Sequence, residues 1–252
     1  MKSVLSLTIA ALAVMALSAP ADAQQIRPLG SNEVGIDVGI GAAYKPKYPG
    51  SDEYDTGPWF ILRDLRLNGA GEGEGTGFRI SPNVGMEGSR DSGDSDRLTG
   101  MDDIDRTYEA GLKATYNMDR ITAYGTMRKG FGGHHGIVGE FGAKYRFEPL
   151  ERLTLWAGLE AGYGDSDFNQ TYFGVSKNEA TRSGYSVYEP EGGINFASAR
   201  FEARYDFTPN TALLGEFRYR RITGDSADSP IVADKSQPSI RLGIVRKLNF
   251  NF

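Results

Sequence analysis

The 252-residue sequence has no cysteine and only two histidines, His134 and His135. Without cysteine, the chain can form no disulfide framework, no thiolate nucleophile and no cysteine-ligated metal site. Beyond residue 23 no apolar run approaches the roughly 20 residues that a membrane-spanning helix needs. The mature chain is therefore expected either to be soluble or to cross lipid as strands. The formal net charge is -5, which gives no basic footprint for nucleic acid, so no nucleic-acid partner is expected.

The first 23 residues have the three parts of a secretory signal peptide. Lys2 precedes an apolar run over residues 4–17, and Ala-Asp-Ala at residues 21–23 supplies an A-x-A cleavage site. The run is too short to act as a transmembrane anchor. We therefore predict a signal peptide over residues 1–23 and a single outer-membrane β-barrel domain over residues 24–252.

Most of the remaining chain alternates between apolar and polar residues, which is the period of a β-strand with one apolar face. In the last segment, for example, Ile240, Leu242 and Ile244 share one parity while Arg241 and Gly243 share the other. Ten segments of this kind predict an all-β, antiparallel transmembrane β-barrel of ten strands, with twelve as the alternative. They are Glu33–Tyr44, Pro58–Leu67, Phe78–Gly88, Tyr108–Tyr116, Ile121–Lys129, Ile137–Phe147, Leu153–Tyr163, Ala197–Phe207 (beginning near Gly193), Thr211–Ile222 and Ser239–Phe252.

The lengths of the connections favour a membrane barrel over a soluble one. Four of the five odd-numbered connections are long, whereas the even-numbered ones are shorter and three of them are tight turns. Outer-membrane barrels segregate long external loops from short periplasmic turns in this way, and they carry aromatic girdles at both interfaces. Tyr116, Tyr145 and Tyr205 are placed for the periplasmic girdle. A soluble lipocalin-like barrel is the alternative, in which the polar parity would face outward.

The polar parity of a membrane barrel faces its lumen, and here it carries nearly balanced charges. A balanced set in a narrow barrel favours a paired network that fills the interior. The alternative is a narrow, gated channel lined by Arg204, Glu216, Arg218 and Arg220. The candidate lumen network consists of Arg79, Glu109, Lys113, Glu140, Lys144, Glu160, Arg200, Glu202, Arg204, Glu216, Arg218 and Arg220.

No segment carries a recognisable catalytic, cofactor or metal motif, so we expect no enzymatic activity and no cofactor. His134 and His135 lie in a glycine-rich external loop without a serine, and neighbours at a loop tip point apart. The acidic loop that carries Asp91, Asp94, Asp96, Asp102, Asp103 and Asp105 lacks the spacing of an EF-hand. We interpret it as a solvated surface, with divalent cations bridging it to lipid head groups as a minor role.

The last predicted strand contains one residue that does not fit its outward face. Arg246 shares the parity of Ile244 and Leu248 and would face lipid about midway along the strand. A cation costs roughly 2 to 4 kcal/mol there. Either its stem reaches the interface, or a bulge near Val245 turns Val245 outward. We favour the bulge, which predicts an irregular seam at this point.

Three stretches resemble the MipA/OmpV family of outer-membrane proteins. They are AAYKPKYPGSDEY at Ala42–Tyr54, QTYFGVSKNEATRSGYSVYEPEGG at Gln170–Gly193 and GDSADSPIV at Gly224–Val232. The resemblance implies an outer-membrane barrel in a family whose namesake is a scaffold joining a murein lytic transglycosylase to a murein synthase. Other members are associated with passage of small solutes, antibiotic susceptibility and adhesion.

We therefore expect a non-enzymatic scaffold that links the outer membrane to the murein machinery. A narrow channel for small polar solutes or antibiotics, or an adhesive surface protein, is the alternative. The expected partners are the lipid bilayer and lipopolysaccharide, with a murein lytic transglycosylase and a murein synthase on the periplasmic side. The family supplies no catalytic residues. The predicted periplasmic turns offer little of the roughly 800 Å² per partner that a standard interface buries.

Overall fold

The structure is a computed structural model that describes residues 33–67 and 76–251. The predicted signal peptide, residues 1–23, lies outside the described residues. The described part is dominated by β-strands, as alternating polarity throughout the chain requires.

Ten strands are present, and each coincides with a predicted segment. The predicted fold class, an antiparallel all-β structure of ten strands, is thereby confirmed. Their bounds are β1 Glu33–Pro46, β2 Tyr54–Leu67, β3 Gly77–Glu87, β4 Thr107–Met118, β5 Ile121–Gly132, β6 Ile137–Leu150, β7 Leu153–Gly164, β8 Gly193–Thr208, β9 Thr211–Ile222 and β10 Ser236–Asn251.

All neighbouring strands are antiparallel and form one curled sheet. Its order is β2-β1-β10-β9-β8-β7-β6-β5-β4-β3, so the first and last strands pair and the sheet curls back on itself. The β1–β10 ladder runs without a register shift from Glu33↔Asn251 to Tyr44↔Ile240. This ladder pairs the backbone groups of the terminal strand β10 with those of β1, as predicted. Within residues 33–67 and 76–251, no ladder joins β2 to β3, which form the two edges of the sheet.

The outward face of the sheet is mainly apolar, with Lys129, Arg221 and Arg246 among its charged exceptions. Leu159 is 71% exposed and Met127 is 66% exposed, and the outward positions on the other strands are of the same kind. A soluble protein seldom exposes a continuous apolar surface of this extent. In hydrocarbon the same surface is favourable, because lipid solvates it while the sheet pairs the backbone groups. The lipocalin-like alternative, which needs a polar exterior, is therefore excluded.

The short turns lie at one end of the sheet. The strand that follows each turn begins opposite a residue that lies several positions before the end of the neighbouring descending strand. β5 begins at Ile121 opposite Tyr145, β7 begins at Leu153 opposite Tyr205, and β9 begins at Thr211 opposite Arg246. Each descending strand thus overhangs its neighbour, which is the stagger of tilted barrel strands. The three backbone N–H groups that follow these rows donate to turn carbonyls, as Lys247 does to Asn210 at 2.9 Å.

This stagger corrects the prediction for Arg246. Both ladders of β10 are regular at that point, and Val245 is fully buried on the inner face while Arg246 is exposed. The predicted bulge is therefore wrong. Arg246 occupies the same row as Tyr145 and Tyr205, opposite the first residue of the adjacent ascending strand. That row is the periplasmic girdle, where a cation costs about 0 to 1 kcal/mol rather than the midplane figure.

The long connections lie at the opposite end and fold into a layer that we call the cap. It consists of residues 47–53, 88–106, 165–192 and 223–235. Its regular elements are α1 Ser166–Phe173, α2 Lys177–Ser183 and two 3₁₀ turns, Asp96–Leu98 and Asp225–Asp228. No helix in the described part of the chain is long and apolar enough to cross a membrane.

The depth assigned to outward positions can be tested by changing their charge. Leu159→Arg, at the middle of β7, should destabilise the protein by about 2 to 4 kcal/mol because the cation meets hydrocarbon. Arg246→Leu should change stability by less than about 1 kcal/mol because the girdle row is interfacial. Denaturant unfolding of the protein in lipid vesicles measures both. Equal effects would contradict the assignment of the two rows.

Candidate functional site

The inner face of the sheet carries a dense set of charged side chains that meet across the lumen. Glu160 on β7 is the most heavily engaged carboxylate, with a side chain that is 1% exposed. It accepts hydrogen bonds from the Tyr124 hydroxyl at 2.7 Å and the Ser198 hydroxyl at 2.8 Å. The guanidinium groups of Arg200 and Arg218 lie 2.9 and 3.4 Å from its oxygens. The buried Glu160 carboxylate therefore compensates part of the positive charge of both guanidinium groups.

A second group of ion pairs joins β8 to β1 and β2. Arg63 on β2 donates to Glu202 on β8 at 2.9 Å, and Arg204 donates to Asp37 on β1 at 2.6 Å. β8 is not a sheet neighbour of β1 or β2, so these contacts cross the lumen. They bring side chains from opposite parts of the sheet into direct contact in the interior.

Arg200 connects the two groups, because it also lies 3.6 Å from Glu202. Glu216 on β9 extends the first group and lies 3.9 Å from Arg200 and 3.3 Å from Arg241. Arg241 also lies over the Trp59 ring at 5.8 Å, and Arg220 stacks on Phe196 at 4.0 Å. Stacking on an aromatic face stabilises a desolvated guanidinium without a carboxylate.

A third group lies beneath the cap on β4, β5 and β6. Arg128 donates to Glu109 at 2.7 Å and to Glu140 at 3.4 Å. His134 Nε2 lies 3.2 Å from the second oxygen of Glu109, and His134 Nδ1 accepts the Gly136 N–H at 3.2 Å. Because Nδ1 accepts a hydrogen bond, Nε2 carries the ring proton, and this N–H donates a hydrogen bond to Glu109.

His134 also joins the barrel wall to the cap. Its ring is fully buried, packed edge-on against Phe168 at 5.0 Å and Tyr172 at 5.6 Å. Gly130 provides the space, because a Cβ there would lie 2.2 Å from the imidazole ring. His135 is exposed, so the two histidines point apart as predicted.

The structure places the predicted lumen residues on the inner face, where they take part in several groups of contacts. Glu160, Arg200, Glu202, Glu216 and Arg218 form the largest group. Glu109 and Glu140 belong to the Arg128 group, Arg204 bridges Asp37 and Asp206, and Arg220 stacks on Phe196. Lys113 lies over the Tyr124 ring at 5.2 Å, and Arg79 and Lys144 make further interactions with the chain.

Several lumen residues escaped sequence reasoning. Arg63 on β2 was missed because its inward neighbours Trp59 and Ile61 are apolar, like the outward residues of that strand. Exposed Phe60 and Leu62 give the true outward parity. Arg128 lies at the inward parity of β5, where alternation could have placed it. His134 carried no sequence signal of burial.

An apolar patch inside the lumen explains the misleading pattern of β2. Ile61, Ala212, Leu214 and Val245 are buried together, with Trp59 packed against them. They lie on adjacent rows of β2, β9 and β10. This patch holds Val245 inward without any bulge.

A cavity of about 200 Å³ remains in the lumen between the charged groups. It is lined by Asn83, Lys113, Tyr124, Thr126, Arg128, Glu140, Lys144, Trp156, Gly158, Glu160, Arg200 and Glu202. Its walls carry both signs of charge and two aromatic rings. A cavity of this size holds roughly six waters or one small polar solute.

The cap is a packed layer with its own apolar cores, to which its four loops contribute. Tyr48, Leu98, Met101, Val175 and Ile231 form one core. A second core consists of Ile104, Tyr172, Phe173, Ala227 and Ile222 at the top of β9. Fully burying one such side chain contributes about 1.5 to 3 kcal/mol. The loops are therefore held over the lumen as a unit.

Buried polar groups tie the cap loops to one another. The Tyr48 hydroxyl donates to the Ile231 carbonyl at 3.1 Å, and Arg90 donates to the Tyr172 carbonyl at 3.1 Å. Glu179 closes a capping box with Ser176 at the start of α2 and accepts the Asp102 N–H at 3.0 Å. Each link joins two different loops except the capping box itself.

Burial shifts the ionisation of the cap residues. It raises the pKa of Tyr48 to about 12 and that of Tyr172 to about 12, because the phenolate would be poorly solvated. Burial also lowers the pKa of the Arg90 guanidinium. At Glu179 burial opposes ionisation, but the backbone hydrogen bonds from Asp102 and Ser176 outweigh it and hold the pKa below its usual value.

The acidic loop uses its aspartates to shape the backbone. Asp94 accepts the Asp91 N–H and Asp103 accepts the Ser92 N–H, while Asp102 pairs with Arg182. Among the residues that the structure describes, no group of three or more His, Asp or Glu side chains is arranged to hold a metal ion.

Comparison with known proteins identifies relatives. The family model described as "MltA-interacting protein MipA" matches residues 38–248. The MltA-interacting protein of Escherichia coli strain K12 is 30% identical over 164 residues, which cover 63% of each chain. The putative outer membrane protein YiaT of the same strain is 27% identical over 138 residues, covering 52% of this chain and 53% of the relative. The chain thus spans less than two thirds of the length of these relatives.

Solved structures show only distant likeness. The attachment invasion locus protein Ail of Yersinia pestis is 14% identical with a TM-score of 0.30, over 86% of this chain and 99% of Ail. OprG of Pseudomonas aeruginosa is 12% identical with a TM-score of 0.29, over 89% of this chain and 98% of OprG.

The buried tyrosines predict that the cap loosens in alkali. A phenol with a folded pKa of about 12 contributes stability that is present below its unfolded pKa of about 10 and is lost as pH rises from 10 through 12. Near-UV circular dichroism should change over this range, and Tyr48→Phe should reduce the change. Tyr163→Phe, which alters an outward tyrosine on β7, serves as the control. An unchanged transition in Tyr48→Phe would contradict this account.

The Glu160 cluster predicts a large stability effect from a single neutralisation. Glu160→Gln leaves Arg200 and Arg218 buried with less compensating charge, and breaking a buried pair costs about 3 to 5 kcal/mol. Glu148→Gln is the matched control, since its pair with Arg146 at 3.7 Å is largely solvated and is worth less than about 1 kcal/mol. Denaturant unfolding in vesicles measures both. A Glu160→Gln effect as small as the control would show that the cluster does not stabilise the barrel.

Proposed function

The chain belongs to the MipA family, whose model matches it from residue 38 to residue 248, and we propose that it is an outer-membrane scaffold that binds a murein lytic transglycosylase. The observation that carries the proposal is a lumen crossed by ion pairs that join one side to the other. These contacts support a role in binding a partner protein better than a role as an open pore. Its relative from Escherichia coli is named for interaction with MltA.

The closed lumen distinguishes a scaffold from an open pore. The pairs Arg63–Glu202 and Arg204–Asp37 cross the interior, and the cap packs over its outer end. Opening a permanent path would require these buried charges to separate. Breaking one buried pair costs about 3 to 5 kcal/mol.

The partner surface on the scaffold is the periplasmic rim. It includes the turns after β4, β6 and β8, where Arg120, Leu150, Arg152 and Asn210 are exposed. Leu150, the last residue of β6, is an apolar side chain that is 63% exposed. An exposed apolar residue among charged ones is the composition of a small interface with a central anchor. A murein synthase would share this rim as a second partner.

The proposal has no place for catalysis. His134, the buried histidine, donates to Glu109 and packs against the cap, so no nucleophile or solvent reaches it. Its contacts are those of a structural residue that holds the cap.

Binding to a purified lytic transglycosylase tests the scaffold. The full-length protein in lipid nanodiscs should retain the enzyme, and Leu150→Asp should weaken retention by about tenfold or more, because an interface anchor is worth at least about 1.4 kcal/mol. Asp228→Asn in the cap is the matched control and should leave retention unchanged.

Two results would overturn the proposal. Failure of the wild-type protein to retain either a transglycosylase or a synthase would remove the scaffold role. Steady unitary currents in planar bilayers, altered by Arg218→Ala, would favour a narrow channel for small polar solutes instead.

A further inference from the structure

We propose that Arg221 and Ser236, on the outward face at the cap end of β9 and β10, bind a phosphate group on the lipid anchor of lipopolysaccharide. The site lies at the opposite end of the barrel from the rim proposed for the transglycosylase, so it does not rest on that function. The proposal rests on the depth of Arg221 in the membrane, on the hydroxyl groups beside it and on the apolar surface below it.

The depth of Arg221 places it among the head groups of the outer leaflet. Arg221 pairs with Ser236, the first residue of β10, whereas Arg246 lies at the periplasmic interface of the same strand. Because Arg246 is ten residues after Ser236, the two residues are separated by about 33 Å along the strand. At a barrel strand tilt of about 40°, this length corresponds to about 25 Å across the membrane. The apolar band of an outer-membrane barrel has this height, so Arg221 and Arg246 lie at its two edges.

The guanidinium group of Arg221 is available to a ligand. It is exposed, and among the residues that the structure describes no carboxylate lies within ion-pairing distance of it. Its cross-strand neighbour on β8 is Ala197, whose small side chain leaves that side of the guanidinium accessible. The phosphates of an anionic leaflet attract a cation at this depth. A planar guanidinium also suits a phosphate, because its N–H groups can bind two oxygens at once.

Two hydroxyl groups complete the phosphate site. The Tyr219 hydroxyl donates a hydrogen bond to Ser236 Oγ at 3.1 Å, so Ser236 keeps its own hydroxyl proton for a phosphate oxygen. Residues directly opposite each other in antiparallel strands have Cβ atoms about 5 Å apart. One phosphate can therefore contact both Arg221 and Ser236. The nearby Asp234 carboxylate, which accepts the Ser236 N–H at 2.8 Å, opposes an anion and limits its affinity.

The sheet below the site offers an apolar surface to acyl chains. Phe201, Phe217 and Ile240 are paired in one row across β8, β9 and β10 and are 54%, 43% and 56% exposed. A single lipid can thus place its phosphate at Arg221 and its chains on this row. Lipopolysaccharide forms the leaflet on the cap side of the outer membrane, so its phosphorylated anchor is the occupant that fits both features.

Native mass spectrometry of the full-length protein in detergent micelles measures binding of lipid A, the phosphorylated anchor of lipopolysaccharide. Lipid A should bind about tenfold more tightly than dephosphorylated lipid A, because the phosphate makes charge-assisted hydrogen bonds to the site. An excess of inorganic phosphate should not displace lipid A, because it lacks the acyl chains. Phosphatidylglycerol, which carries a single phosphodiester charge, should bind more weakly than lipid A.

Variants of the site test the roles of its charges and hydroxyls. Arg221→Gln should weaken lipid A binding by about tenfold and Ser236→Ala by about threefold, and neither should affect dephosphorylated lipid A. Asp234→Asn should strengthen lipid A binding, because it removes the opposing negative charge. Heat-modified gel mobility verifies that each variant is folded.

Lys129→Gln is the matched control for general attraction to a cation. Lys129 is also exposed on the outward face near the cap, but its cross-strand neighbours Ala110 and Ile137 carry no hydroxyl. Its replacement should change lipid A binding by less than about twofold.

Four outcomes would overturn the proposal. The first is equal binding of lipid A and dephosphorylated lipid A by the wild-type protein. The second is unchanged lipid A binding by folded Arg221→Gln. The third is displacement of lipid A by inorganic phosphate, which would mean that the site holds a free anion. The fourth is equal binding of phosphatidylglycerol, which would assign the site to phospholipid. None of these outcomes would affect retention of a transglycosylase at the rim.

Discussion

The pairing of backbone N–H and C=O groups between neighbouring strands, which the described residues show for all neighbours except β2 and β3, is the constraint on which the structure depends. Hydrocarbon supplies no hydrogen-bond partner, so a strand in lipid must be bonded on both sides. The β1–β10 ladder meets this requirement at the chain ends. Once the backbone is paired, side chains alternate between lipid and lumen. A charged outward residue such as Arg246 is then tolerated only at the interface.

The same alternation forces polar side chains together inside. An inward carboxylate in a narrow lumen cannot remain ionised without compensation, because burying an unpaired charge is costly. Glu160 meets two guanidinium groups and two hydroxyls, and Glu202 reaches across to Arg63. Pairing across the lumen satisfies these charges and places side chains across part of the interior. Beside Lys144, β7 carries Gly158 at an inward position, which leaves room for the cavity.

The cap adds a second folded layer to the barrel. Outer-membrane loops need no core of their own, yet residues from all four cap loops bury Tyr48, Leu98, Val175 and Ile231 together. His134 joins this layer to the wall through Glu109 and Phe168. The outer end is thereby sealed by packing, which leaves the periplasmic turns as the surface available to the scaffold partner that we propose.

Sequence alone determined the ten strands, their faces and the separation of long loops from short turns, because a period of two residues is a local property that each segment displays by itself. It did not determine which inward charges pair, since Arg63 and Glu202 are 139 residues apart and meet only when the sheet curls. It also misplaced Arg246, because the depth of a residue depends on stagger between strands and not on its position along one strand. The burial of His134 and the inward turn of Val245 were likewise decided by tertiary structure, through packing against residues from distant strands and loops.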